Sequence, residues 1–469
     1  MTLLYGTLLP HPPLLIPEIG GDERQAAALT DQSMRTVAKT IARLQPDTLV
    51  IISPHGLLFE DTMVMMGGEQ LQGSFAEFDV PRSIQVANDI PLLEEAYQLA
   101  RQQDVPLEIL DDALKARFGL EQELDYGALV PLSYMLEEQF AGSVLHLSVG
   151  LLTPLELYRV GMVIRQAAAR LGRRIAVIAS GDNAHTLSHQ APLGFHPEGE
   201  RFDQFLSDSI RDGRWMEVML ADPQRRELAA EDTIPSLTVM FGCFEETPLQ
   251  AEVLSYEAPY GVGYTVAQFL PQTGKAPSLY EELTASLERQ IKQRREQESA
   301  PVRVARMAVE HFVEEDEYPD LETVYSLGRF EPDTPSGVFV TIKKHGRLRG
   351  CIGSVVPTKP TLTEEIIHHA ILSCSEDDRF FPVEPEELDH LTYSVDILQP
   401  FEPIESVEQL DPSRYGVIVQ KANRSGLLLP MLAGIGSAEQ QVAIAKEKAG
   451  IAQDDPDVEL YRFEVIRYV

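Results

Sequence analysis

The stretch that decides the fold is Thr2-Leu3-Leu4-Tyr5-Gly6-Thr7-Leu8-Leu9-Pro10-His11-Pro12-Pro13. A run this rich in Leu, Tyr and Thr, closed by prolines that cannot join a ladder, predicts a buried strand ending at Pro10. His11 then stands just past a strand tip. A second histidine is delivered the same way, because Asp47-Thr48-Leu49-Val50-Ile51-Ile52-Ser53 is an apolar strand followed at once by Pro54-His55-Gly56. A third strand, Ile175-Ala176-Val177-Ile178-Ala179-Ser180, runs into Gly181-Asp182-Asn183-Ala184-His185. In an open α/β sheet, ligands gather beyond the carboxyl ends of parallel strands, so histidines placed there can converge on one metal or substrate.

Outward from these strands, helix and strand patterns alternate. Residues 22–44 and 153–171 have helical apolar spacing, and 143–149 is a further strand. This order predicts a three-layer α/β/α domain with a largely parallel or mixed central sheet. Residues 198–212 and 231–246 read as helices, and 252–256 as a strand that leaves Glu257 before the turn Ala258-Pro259-Tyr260-Gly261-Val262-Gly263-Tyr264. The breaker-rich segment 271–278 and a charged helix to about 298 mark a change of domain. We read residues 1–270 as the first domain, 271–299 as a linker with its charged helix, and 300–469 as a smaller α+β domain. The latter begins with a helix near 302–313. Two strands over 337–353 follow, about a turn at His345-Gly346, then a helix at 363–373 and strands at 391–398, 416–421 and 460–467.

A chain of 469 residues is too long for one ordinary core. Its 39 basic against 73 acidic residues leave a net charge of −34. Nucleic acid and anionic membrane surfaces are repelled by such a molecule, so neither is an expected partner, and any anionic ligand must be met by a local cationic pocket. Three cysteines are too few for a disulfide framework. The apolar start lacks a basic segment and is broken by prolines, and no run approaches membrane-spanning length, so a cytoplasmic location is expected.

Non-haem Fe(II) enzymes that activate oxygen commonly bind the metal through two imidazoles and one carboxylate. His11, His55 and Glu257 have that chemistry and sit at predicted strand ends. His185 is the candidate acid/base, since imidazole titrates near neutrality. Singly, each is also what a loop or a solvated surface carries. The weight comes from three of the eleven histidines following the strongest apolar strands. His146, inside a strand, reads as a core histidine. In the second domain, Lys343, Lys344, Arg347 and Arg349 cluster beside His345 and before Gly350-Cys351-Ile352-Gly353. The glycines would allow close backbone approach and the cations would draw Cys351 toward thiolate. A charged hairpin before a buried cysteine, or anion binding without chemistry, fits the same residues.

Pro10-His11-Pro12-Pro13, Ser53-Pro54-His55-Gly56, Ser180-Gly181-Asp182-Asn183-Ala184-His185 and Glu257 through Tyr264 resemble the class III extradiol ring-cleaving dioxygenases, the LigB-type superfamily, over about residues 1–270. The superfamily includes the Memo proteins, which share the fold without necessarily cleaving rings. The resemblance implies Fe(II), or zinc or another divalent metal, held by His11, His55 and Glu257. It further implies His185 as the acid/base, a catechol-like small aromatic and O2 as substrates, and a homodimer. Ring-cleaving members carry an Asp-His-Gly stretch where this chain reads Asp125-Tyr126-Gly127, so Tyr126 stands in for a catalytic histidine and can donate a hydrogen bond but not carry positive charge.

Arg347 through Gly353, Asp377-Asp378-Arg379-Phe380-Phe381-Pro382-Val383 and Ser425 through Pro430 resemble the AMMECR domain, a family without a settled activity, over about residues 300–469. Arg379 joins the candidate anion-binding residues, although an internal salt bridge explains it equally. The pairing of the two parts resembles the AmmeMemoRadiSam system, which implies a radical S-adenosylmethionine protein as partner. Two functions follow as expectations: a ring-cleaving oxidoreductase, or a non-catalytic metal-binding component of that modification system.

Overall fold

The computed structural model describes residues 2–120, 123–326, 333–344, 347–422, 424–430, 435, 437–453 and 455–469, apart from the side chains of residues 112, 113, 118, 326 and 347. The chain divides into two units, Met1–Ala285 and Ser286–Val469. The first holds strands β1 (Leu3–Leu9), β2 (Thr48–Ser53), β3 (Met63–Met66), β4 (Gln70–Ser74), β5 (Ser83–Ala87), β6 (Leu107–Leu110), β7 (Ser143–Ser148), β8 (Ile175–Ser180), β9 (Leu249–Glu257) and β10 (Tyr264–Pro271). Eight of them form one sheet in the order β6-β3-β7-β2-β8-β1-β10-β9, while β4 and β5 pair separately. β7, β2, β8 and β1 run parallel, and β3, β10 and β9 add antiparallel pairings, so the sheet is mixed.

Every residue of β2 and β8 is buried, which requires cover on both faces. One face packs Tyr5, Leu49, Ile51 and Ile178 against Met34, Val37 and Ile41 of the helix Ala28–Leu44 and against the helix Tyr126–Glu137. The other carries the helices Pro154–Leu171 and Thr233–Cys243. These two helices cross at glycines. A Cβ on Gly161 would lie 2.0 Å from the Val239 carbonyl oxygen, and one on Gly242 would lie 2.0 Å from that of Tyr158. Close backbone approach, which only glycine allows, therefore fixes the second helix against the sheet. Its first residue, Thr233, lies so near the end of β8 that a Cβ on Gly181 would come within 2.6 Å of the Thr233 Cα. A helix start is thereby set beside the strand tips.

The second unit has two four-stranded sheets. Strands β11 (Val338–Lys344), β12 (Arg347–Ser354) and β13 (Leu391–Leu398) combine with β18 (Val465–Tyr468) in the order β12-β11-β13-β18. Strands β14 (Glu402–Ile404), β15 (Gly416–Lys421), β16 (Arg424–Leu428) and β17 (Glu459–Phe463) form β14-β17-β15-β16. The single strand expected over 460–467 is thus two. The chain leaves one sheet for the other at Glu464, whose carbonyl accepts the Gln399 N–H outside either ladder. The expected turn at His345-Gly346 lies outside the described residues, as does the Arg347 side chain. No helix among the described residues is long and apolar enough to cross a membrane.

Candidate metal centre

The order β2-β8-β1 places the carboxyl ends that deliver His55, Asp182 and His11 side by side. The two imidazoles meet with their Nε2 atoms 2.9 Å apart and their rings nearly perpendicular. His11 is 1% exposed and His55 half-buried. Ser180 Oγ donates to the Gly127 carbonyl at 2.6 Å, so it accepts from His11 Nδ1 at 2.9 Å. That bond fixes the tautomer of His11 with its lone pair on Nε2, toward the cluster.

The carboxylate that joins them belongs to Asp232, in the cap position of the helix Thr233–Cys243. Its Oδ2 is 3.4 Å from His55 Nε2 and 3.7 Å from His11 Nε2, and its Oδ1 accepts the Asp182 N–H at 2.7 Å. His11, His55 and Asp232 offer ligand atoms that all lie within 4.8 Å of one another. A carboxylate is favoured at this helix start by the unpaired amides and the macrodipole. Burial would raise Asp232, but His11 and His55 outweigh it and hold the carboxyl below its ordinary value. Burial would likewise lower His55, and Asp232, with Asp125 and Asp182 behind it, raises it instead. Asp182, buried beside them, accepts the His11 N–H at 2.9 Å; its burial, only partly offset by His11, pushes its carboxyl up.

The donor set fits a divalent ion. Two imidazole nitrogens about 2.1 Å from one ion and at right angles around it stand about 3 Å apart, close to the 2.9 Å between these two. Two imidazoles and one carboxylate also match the donors that suit iron or zinc.

Glu257 does not reach this cluster, which corrects the expected ligand set. Its Oε2 accepts both the N–H and the hydroxyl of Thr30, each at 2.7 Å, tying the end of β9 to the helix Ala28–Leu44. The reason is topological. β9 lies four strands from β2, about 19 Å at ~4.8 Å per strand. Asp232 escaped notice because 231–246 reads as helix, which hides an acid in its first turn. The signal was there: an Asp directly before an apolar helix takes the cap position, and the start of a buried helix lies at the sheet edge.

His185 is half-buried beyond β8. Its Nδ1 donates to the Ala230 carbonyl at 2.7 Å, leaving the lone pair on Nε2. Tyr126 opens the helix Tyr126–Glu137 and stacks on His55, with centroids 4.3 Å apart and planes at 28°. Its hydroxyl is 3.1 Å from both His55 nitrogens, so it lies over the ring face, where neither in-plane lone pair is directed. Burial and the surrounding acids raise the phenol, which keeps it neutral. Beneath it, burial would raise Asp125, but His146 and Ser53 bring it down to about 2. His146 thus sits in the core with its Nε2 bonded to Asp125.

In the second unit the expected cations are largely paired. Arg349 and Lys344 both bind Glu387, and Arg379 binds Asp377 through Nε at 2.8 Å and Nη2 at 2.6 Å. Gly350 and Gly353 answer packing rather than ligand approach: a Cβ would lie 1.9 Å from the Ser373 carbonyl oxygen at the first and 2.4 Å from the Phe339 ring at the second. The Cys351 thiol is 3.2 Å from the Thr341 hydroxyl, while Cys374 is buried and its thiol is pushed up to about 12.

Residues 5–267 match the family described as the catalytic LigB subunit of aromatic ring-opening dioxygenase, and residues 302–468 match AMMECR1. Protein CA_C1420 of Clostridium acetobutylicum is 34% identical over 467 residues, covering 98% of each chain. A Thermotoga maritima protein is 54% identical over 134 residues, 28% of this chain and 77% of its own. Among solved structures, protein PH0010 of Pyrococcus horikoshii is 34% identical over 36% of this chain and 88% of its own, with a TM-score of 0.32. The chain therefore belongs to the family of the catalytic LigB subunit of aromatic ring-opening dioxygenases, in the form that carries an AMMECR1 domain after it.

Proposed function

We propose that the amino-terminal unit is a non-haem iron dioxygenase that opens a catechol-like small aromatic, with the metal held by His11, His55 and Asp232. The observation that carries this reading is the convergence of those three ligand atoms within 4.8 Å at the carboxyl edge of the sheet. Divalent iron bound there supplies adjacent positions for a diol and for O2. His185 is the proton carrier: with Nδ1 committed to Ala230, its free Nε2 takes a proton from a substrate hydroxyl and later returns it. Tyr126, neutral at working pH, donates a hydrogen bond to an oxygen beside His55.

A second reading is a metal-holding, non-catalytic component of an AmmeMemoRadiSam-type modification system with a radical S-adenosylmethionine partner. What favours it is Tyr126, stacked on His55 where ring-cleaving relatives are expected to present a histidine.

The experiment is O2 uptake by anaerobically purified, Fe(II)-loaded protein against a panel of catechols. Uptake is expected with at least one, falling about 100-fold or more in His185→Ala while bound iron is unchanged, as for loss of a general acid/base. Iron bound in full with no uptake across the panel favours the second reading.

A further inference from the structure

The second unit contains a cleft of about 620 Å³ beside the strands β11, β13 and β18. Ile342 and Tyr393 point into the core, so their neighbours Thr341, Lys343, Thr392 and Ser394 point the other way, paired across β11 and β13 as Lys343 with Thr392 and Thr341 with Ser394. The helix Leu279–Gln297 brings Arg294 and Arg295 to the same cleft, and β18 brings Arg467.

Not all of these cations are free. Arg467 is locked to Asp396 by two bonds of 2.7 Å, Arg295 pairs with Glu310, and Glu298 in the lining is taken by Arg306. Lys343 and Arg294 are exposed, and their side chains meet no acid among the described residues. In a chain of net charge −34 almost any exposed cation could find a carboxylate. Two left unpaired beside Ser394 and the hydroxyls of Thr341 and Thr392, which hold only longer contacts to the Cys351 thiol at 3.2 Å and the Lys343 carbonyl at 3.4 Å, form a local positive field with donors, the match for the oxygens of a phosphate group. The volume suits a small-molecule ligand, and Ile291 and the exposed Val469 give the cleft an apolar wall.

We propose that this cleft binds a phosphate-bearing small molecule, its phosphate held between Lys343 and Arg294 and received by the hydroxyls of Thr341, Thr392 and Ser394, its body against the apolar wall. The site is separate from the metal centre and does not depend on the function assigned to it.

Calorimetric titration of the metal-free full chain at low salt tests this with three probes: pyrophosphate, ADP and adenosine. Pyrophosphate and ADP are expected to bind, ADP more tightly, and adenosine not to bind at the same concentrations. The double variant Lys343→Ala/Arg294→Ala is expected to weaken both at least 10-fold with an unchanged melting temperature, since neither side chain supports the fold. Should that variant fail to fold, Ser394→Ala is read in its place and is expected to weaken ADP several-fold. Absence of pyrophosphate and ADP binding at millimolar concentration, or affinity unaltered in the folded variants, overturns the proposal.

Discussion

Asp232→Ala is expected to lower the affinity for Fe(II) or zinc by at least ~100-fold, whereas Glu257→Gln is expected to leave it within about threefold of the parent. Loss of a partner that only orients a ligand typically costs about 10–100-fold, and a ligand itself costs more. Asp232→Ala removes the carboxylate oxygen that faces both imidazoles, 3.4 Å from His55 Nε2 and 3.7 Å from His11 Nε2. Glu257 instead secures Thr30 through two bonds, so its substitution shows as a loss of stability, not of metal. Equilibrium dialysis with metal analysis of both variants checks the pair of outcomes. The reverse pattern would return the third ligand position to Glu257.

The second large effect concerns Asp203, on the helix Pro197–Asp212, whose carboxyl accepts the Ala184 N–H at 2.9 Å and the Tyr256 hydroxyl at 2.8 Å beneath the loop that carries His185. The Gly263 backbone lies close against it, since a Cβ there would come 1.9 Å from its Oδ2, and Asp203 is 2% exposed. Burial, only partly offset by these bonds, raises the carboxyl from 3.8 to about 7. The folded state therefore holds this proton more tightly than the unfolded chain does. Its stabilising contribution is complete below about pH 4 and is lost as pH rises through about 7, at roughly 1.4 kcal/mol per pH unit. Between pH 5 and pH 8 the parent should lose about 3 kcal/mol relative to Asp203→Asn, which does not titrate. Trp215 is the sole tryptophan and packs on Phe241 and Phe269, so its fluorescence during urea unfolding reports the first unit alone. Parallel pH profiles of parent and variant would show that Asp203 is ionised throughout.

What could be read from the sequence and what could not divides along physical lines. His11 and His55 were legible because each follows an apolar strand closed by proline, and burial on both faces makes such strands conspicuous. Glu257 misled because it too follows a strand, and pattern alone does not say that β9 is an antiparallel edge strand with two others between it and β8. Asp232 depends on the Gly161–Gly242 crossing, a contact between residues 81 apart in number that no local window contains. The break at Glu464 was hidden for a related reason, because β17 and β18 share one extended run and differ only in their distant partners, β15 and β13. The cations around Cys351 were visible as a cluster, and the Arg379–Asp377 pair could be read because the two are neighbours in sequence, but Glu387, which pairs with Lys344 and Arg349, lies across the domain fold.

The most direct test of the metal centre is anomalous X-ray scattering at the iron edge from crystals of the full chain grown anaerobically with Fe(II). A single strong peak in the first unit, about 2.1 Å from His11 Nε2, His55 Nε2 and an oxygen of Asp232, is the predicted result. A peak bound through Glu257, or full iron occupancy with Asp232 outside coordinating distance, would contradict it.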